Sequence, residues 1–232
     1  MITSHPICPR GLDKKMSKRS QRKESWSSLK VMSLDPSASK TESDAPPLAS
    51  RLDPALIIRL LQALPRIREW ILRYTASTAS QEVTVASLSV PGLTRCYPKE
   101  LLESTRFVIA DQICYPPLDQ FGLEEFKAFS AIPWGGITYN DVYFLRRELA
   151  SPILHFHEIV HVVQYRRLGV DRFLWAYGVG LALHGYEESP LEKMAYDLQL
   201  EFEHGIYRRA LVADIERWTD IIWQEVSLQA GN

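Results

Sequence analysis

The stretch PILHFHEIVHVVQYRRL, residues 152–168, limits the possible folds more than any other part of the sequence. Ser151 and Pro152 are typical of a helix N-terminus, and Gly169 is typical of the position just after a helix. Apolar residues occupy nearly every side of the predicted helix, so its histidines and glutamate are expected to be buried. The rest of the chain must therefore supply the layers that cover it.

Further helices and two strands are predicted around this segment. Helices are predicted over residues 53–74, with a kink or break at Pro65, and over residues 98–105, 171–183, 190–204 and 206–228. The last of these carries Leu211, Ile215, Trp218, Ile222 and Val226 on one face. Strands are predicted over residues 106–113 and 137–145. The expected fold class is α+β and helix-dominated, with a small sheet packed on the HEIVH helix and several C-terminal helices.

The first fifty residues differ in composition from the rest. Residues 1–50 are rich in Ser, Lys, Asp and Pro and hold nine Lys/Arg against five Asp/Glu, which predicts a disordered basic leader before one domain, residues 51–232. The leader has one aromatic residue, Trp26, and no repeated pattern, so a solvated tail is favoured and no nucleic-acid partner is expected. A helical nucleic-acid binder that uses the leader remains an alternative.

No signal peptide or membrane-spanning segment is recognisable. The basic residues of the leader are not followed by an apolar core segment, and no uninterrupted apolar stretch reaches the ~18 residues that a membrane span needs. The expectation is a cytoplasmic protein without a membrane partner, with non-classical export left open. The sequence does not indicate an oligomeric state.

The HEIVH motif predicts a metal site. Two histidines four residues apart, His157 and His161, project from the same face of a helix and can share one Zn²⁺ ion. Glu158, directly after the first histidine, is then expected near the ion as the base that takes a proton from the attacking water. The alternative is that the two histidines and the glutamate are core residues that hydrogen-bond one another.

A catalytic zinc site needs a third protein ligand. The metzincin pattern would place glycine and histidine where Gln164 and Arg167 stand, so that pattern is excluded. A later acidic residue is the alternative, with one histidine as an outsider. The candidates are Glu187, Glu188, Glu192, Glu201, Glu203 and His184.

Three consecutive parts of the chain, HEIVHVVQYRRLG, FLWAY and HGYEESPLEKMAY, together resemble small bacterial zincin-like domains of the gluzincin type. The resemblance covers residues 134–196, less than a third of the chain. It implies a zincin-like core, a zinc-dependent metallopeptidase acting on a peptide or protein substrate, and Glu192 as the third ligand. The residues agree, since Glu192 lies in the first turn of its helix and Ala195 is small enough for close helix packing.

The resemblance has one departure. Related enzymes often carry an aspartate four residues after the ligand glutamate, as support for a ligand histidine, and Tyr196 stands there instead. This departure slightly favours the rival hypothesis, a catalytically silent zincin-fold domain that acts as a protein-binding or structural module. The presence of Glu158 favours an enzyme.

Several supporting roles are assigned on weaker grounds. Tyr186 is the favoured oxyanion stabiliser, with His184 and Tyr177 as alternatives, although a tyrosine near a helix boundary is more often a core residue. The strand at residues 137–145 could pair with an extended substrate or be purely structural. Gln164 could support the site or lie on the surface. His155 is expected to point away from the metal.

Overall fold

Seven α-helices and four strands make up the part of the chain that the computed structural model describes, residues 52–131 and 134–229. The helices are α1 (Pro54–Thr78), α2 (Pro91–Cys96), α3 (Lys99–Ser104), α4 (Pro152–Leu168), α5 (Val170–His184), α6 (Pro190–Glu203) and α7 (Leu211–Ser227). The strands are β1 (Val83–Thr84), β2 (Arg106–Ala110), β3 (Gly136–Tyr139) and β4 (Val142–Arg146). Helices dominate, which confirms the α+β class. The leader predicted over residues 1–50 lies outside the described residues.

The strands form one mixed sheet in the order β1-β2-β4-β3. β2 and β4 run parallel, with Arg106 opposite Val142, and the other two pairs are antiparallel. β4 is therefore an interior strand, and its Tyr143, Phe144 and Leu145 are fully buried. Within the described residues β3 lies at one edge of the sheet, next to α4.

The single strand predicted over residues 137–145 is wrong, because this segment is a hairpin. Tyr139 pairs with Val142, so the turn between β3 and β4 consists of Asn140 and Asp141. Asn140 has φ of 60°, the left-handed conformation that Asn tolerates better than most residues and that tight hairpin turns require. A continuous run of β-branched and aromatic residues on both sides concealed the turn. The strand predicted over residues 106–113 also ends earlier, at Ala110.

The break predicted at Pro65 is also wrong, because α1 continues through it to Thr78. Asp53 caps the helix, its carboxylate accepting a hydrogen bond from the Ala55 amide at 3.0 Å. Pro65 lies on the exposed face, where water can bond the carbonyl that a proline leaves without a partner. The last helix begins at Leu211 instead of Ile206, and Thr219 is buried on the face where Trp218 was expected.

Helix α4 is the centre of the structure, as its sequence predicts. It packs against β3 and β4 on one side and against α5, α6 and α7 on the others. Its residues from His155 to Tyr165 are all buried. The Ser151 hydroxyl accepts a hydrogen bond from the Leu154 amide at 3.2 Å and so caps the helix. No helix of the described residues is long and apolar enough to cross a membrane.

Candidate metal centre

Two elements bring three potential ligands together in the core. His157 and His161 project from the middle of α4, and Glu192 projects from the first turn of α6. The Nε2 atoms of the two histidines lie 3.1 Å apart, and each of them lies 3.5 Å from Oε2 of Glu192. All three residues are buried, and among the described residues they form the only cluster of His, Cys, Asp or Glu that could hold a metal ion. This confirms the proximity that the sequence predicts.

Two glutamines fix the tautomers of the histidines. Gln164 Nε2 donates to the Leu191 carbonyl and Gln199 Nε2 donates to the Glu203 carboxylate; because these partners only accept, the orientation of each amide is defined. Each glutamine therefore presents its oxygen to an imidazole. Nδ1 of His161 donates to Gln164 at 2.8 Å, and Nδ1 of His157 donates to Gln199 at 3.1 Å.

This arrangement leaves three acceptor atoms facing one another. A neutral imidazole that donates from Nδ1 has only a lone pair at Nε2, so both Nε2 atoms are acceptors, as is Oε2 of Glu192. The other carboxylate oxygen accepts a hydrogen bond from the Tyr177 hydroxyl at 2.6 Å, whereas buried Oε2 has no donor. Three lone pairs at these distances require a positive charge between them, either a proton or a metal ion.

The electrostatics of the centre favour positive charge. Burial opposes the charging of His161, but the attraction and hydrogen bond of Glu192, the attraction of Glu158 and the hydrogen bond of Gln164 together raise the pKa of His161 to about 9. Burial likewise opposes ionisation of Glu192, yet the attraction of His161 and His157 holds the pKa of Glu192 well below its usual range. The cluster can therefore carry a proton when no metal is bound, and a divalent cation would replace that proton.

The distances also match the size of a zinc site. Two donor atoms that lie about 2.0–2.1 Å from a tetrahedral zinc are about 3.3 Å from each other. The three separations here, 3.1, 3.5 and 3.5 Å, lie close to that value. Two imidazole nitrogens and one carboxylate oxygen, with a fourth position left over, are a ligand set of catalytic zinc sites. The residues present therefore fit the metal.

Glu158 is held beside the centre by strand β3. Its Oε2 accepts a hydrogen bond from the Thr138 hydroxyl at 2.7 Å, and the same hydroxyl lies 3.1 Å from the Glu158 carbonyl oxygen. Gly136 packs so closely on the carboxylate that an added Cβ would lie 2.2 Å from Oε1. Burial raises the pKa of Glu158 above its usual value, against the attraction of His157 and His161. A carboxylate with a raised pKa is suited to general-base work.

We expect Gly136→Ala to displace the Glu158 carboxylate and to destabilise the fold by about 1–3 kcal/mol, the usual cost of overpacking. The new methyl group would also lie 2.9 Å from Leu145 Cδ2, inside the sheet. Chemical denaturation measures the effect. Gly135→Ala is the matched control, since its Cβ would have no neighbour closer than 3.2 Å. Equal stability of the two variants would contradict the close packing of Gly136 on Glu158.

The other candidate ligands lie elsewhere. Glu187 and Glu188 are exposed in the turn before α6, and His184 is exposed at the end of α5. Glu201 pairs with Arg208, and Glu203 accepts the Gln199 amide. Glu192 is thus the one candidate that reaches the histidines.

The residues with weaker assignments, His155, Tyr186 and Gln164, each have a defined contact in the structure. His155 points toward the sheet, as expected, where its Nδ1 lies 2.6 Å from the Tyr143 hydroxyl. Tyr186 lines the cleft beside the centre, and its hydroxyl lies 3.2 Å from that of Tyr196. Gln164 is fully buried and orients His161, so the surface alternative is wrong. Thr138 and Gln199 were not predicted from the sequence. Spacing could have indicated Gln199, because it lies seven residues, or two helical turns, after Glu192 and so on the same face of α6.

Gln199→Leu is expected to weaken zinc binding about 10- to 100-fold, the usual effect of removing a group that orients a ligand histidine. The leucine leaves Nδ1 of His157 without its acceptor, so the ring can rotate or change tautomer. Competition with a fluorescent zinc chelator measures the affinity. Gln224→Leu, at an exposed position of α7, is the control. An unchanged affinity in Gln199→Leu would show that His157 needs no such support.

A cleft opens beside the centre. It has a volume of about 930 Å³ including its open mouth, and His157, Glu158, His161 and Glu192 are among its lining residues. Its remaining walls come mainly from α1, α5, the 3₁₀ segments Asp119–Phe121 and Glu124–Ala131, and β3. A substrate that enters the cleft therefore meets the ligand cluster and Glu158 together.

Comparison with protein-family models, curated proteins and solved structures finds no match for this chain.

Proposed function

We propose that residues 51–232 are a zinc-dependent metallopeptidase with a zincin-like core, in which His157, His161 and Glu192 hold the zinc. The observation that carries the proposal is that three buried acceptor atoms converge, Nε2 of His157, Nε2 of His161 and Oε2 of Glu192. Two glutamines fix the tautomers of the two imidazoles. When bound, zinc supplies a Lewis acid that lowers the pKa of water to about 7 and polarises a carbonyl. The remaining chemistry belongs to side chains of this chain.

Glu158 serves as the general base and then as the acid. Its carboxylate lies in the wall of the cleft, next to His157 in sequence and held by Thr138. It accepts a proton from the water that attacks the peptide carbonyl, and later passes that proton to the leaving amine. Its raised pKa keeps the proton available for the second step. Thr138 and Gly136 position the carboxylate and do not react.

Tyr186 stabilises the oxyanion in this proposal. The part of the chain that the structure describes gives its hydroxyl a single hydrogen-bond partner, the Tyr196 hydroxyl, and either oxygen can be the donor. Tyr186 can therefore accept from Tyr196 and donate to the carbonyl oxygen of a substrate. Tyr177 is less suited to this role, because its hydroxyl donates to Glu192. β3, at the edge of the sheet, is the strand for an extended substrate to pair with.

The test is chelator-sensitive peptide hydrolysis. The full chain, loaded with zinc, is incubated with an intrinsically disordered protein, and new N-termini are detected by mass spectrometry. Cleavage should stop when the zinc is chelated and return when zinc is added back. A protein that holds zinc tightly and cleaves nothing would overturn the enzymatic proposal in favour of the catalytically silent module.

A further inference from the structure

The walls of the cleft away from the metal centre are apolar. α1 contributes Leu60, Leu64, Ile67 and Ile71; α5 contributes Phe173, Leu174 and Leu181. Leu118, Leu123, Phe126 and Phe129 also line the cleft. Among the described residues that line the cleft, the only carboxylates and imidazoles are those of His157, His161, Glu192 and Glu158. The cleft therefore combines one cluster of ionisable groups with a lining that is otherwise largely apolar.

Several of these apolar side chains are only half-buried. Leu64 on α1 and Leu174 and Leu181 on α5 line the cleft and are only partly buried. Apolar surface in a concave site, beside a few convergent polar groups, is the usual composition of a binding pocket for an apolar ligand. A charged group in the same place would lose its hydration without gaining a partner.

We propose that this cleft selects substrates with bulky uncharged side chains, such as Leu or Phe, next to the bond that is cleaved. The inference rests on the proposed function, since the ligand cluster and Glu158 line the same cleft as the apolar side chains. Acidic and basic side chains are excluded by desolvation. A pocket of this type favours a substrate with apolar side chains over one with charged side chains by about tenfold or more. Each buried methylene contributes to binding, and a charge without a partner opposes it.

The experiment compares three internally quenched peptides of one frame that differ only in the two central residues, Leu-Phe, Asp-Asp and Lys-Lys. The full chain with zinc is expected to cleave the Leu-Phe peptide with a kcat/KM at least about tenfold higher than the other two. Binding is measured separately, by fluorescence anisotropy on zinc-loaded Glu158→Gln protein, where the same preference is expected without turnover.

Charge placed in the cleft should change this preference. Leu64→Lys is expected to lower kcat/KM for the Leu-Phe peptide about tenfold, mainly through KM, and to raise relative use of Asp-Asp. Leu61→Lys is the matched control: it lies on the same helix, is 46% exposed and does not line the cleft. Leu181→Lys repeats the test from α5 if the first variant fails to fold.

The outcomes separate the two proposals. Equal binding and cleavage of all three peptides, or a preference for a charged one, would overturn the apolar selectivity and leave the peptidase proposal standing. Selective binding of the Leu-Phe peptide without cleavage by the wild-type chain would overturn the peptidase proposal and support the cleft as an apolar binding site. An unchanged preference in both cleft variants would show that the peptides bind elsewhere.

Discussion

Glu192→Ala protein is expected to be isolated without zinc, whereas the wild-type chain should carry about one zinc ion per molecule. Removing one of three protein ligands should cost about 3 kcal/mol or more of binding free energy, which is at least a hundredfold loss of affinity. His157→Ala should have the same effect. Elemental analysis of the purified proteins measures the metal content.

Glu188→Ala is the control for this prediction, because that carboxylate is exposed in the turn before α6. Thermal unfolding gives a second measurement. At a zinc concentration about 1,000 times Kd, binding should stabilise the wild-type fold by about 4 kcal/mol and raise Tm by about 10 °C, and Glu192→Ala should show no such rise. Full zinc content in Glu192→Ala would mean that Glu192 is not a ligand, and a wild-type chain without zinc would mean that the cluster is a proton-linked ion pair of the core.

Glu158→Gln is expected to keep its zinc and to lose peptide hydrolysis by a factor of about 10² to 10⁴, the usual contribution of a general base. Glutamine has nearly the shape of glutamate and can still accept the Thr138 hydroxyl, but its amide cannot take a proton from water. Steady-state kinetics on the Leu-Phe peptide, with elemental analysis on the same sample, measures both properties.

Two results would contradict the assigned role of Glu158. If Glu158→Gln loses zinc together with activity, the carboxylate supports the metal site and is not the base. If it hydrolyses the peptide at the wild-type rate, another group accepts the proton. Glu188→Gln, again at an exposed position, controls for the loss of one negative charge.

The sequence predicts the metal cluster well because its geometry is local. His157 and His161 share a helix face by spacing alone, and the capped, apolar α4 segment could only be a buried helix. The residues left six candidates open for the third ligand; the resemblance to zincin-like domains singled out Glu192, and its place in the first turn of α6 agreed. Spacing alone predicts the proximity of the two histidines, whereas zinc binding and catalysis are proposals.

Long-range contacts explain most of what the sequence did not predict. The hydrogen bond from Thr138 to Glu158 depends on how the hairpin docks on α4, and the hairpin itself was hidden within an apolar run. The apolar walls of the cleft come from α1, about ninety residues before the HEIVH motif, and no local pattern indicates which face of α1 meets α5. Such packing is decided by tertiary structure.

The neutral amides of Gln164 and Gln199 have a consequence for the charge that a substrate meets. A carboxylate in either position would share negative charge with its imidazole, whereas an amide only orients the ring. The ligands then sum to one negative charge, from Glu192, so the second charge of a divalent ion would be balanced by the neighbouring Glu158 carboxylate. A substrate would therefore meet a site that is neutral while Glu158 is ionised and singly positive once Glu158 has taken a proton, when negative charge develops on the carbonyl oxygen.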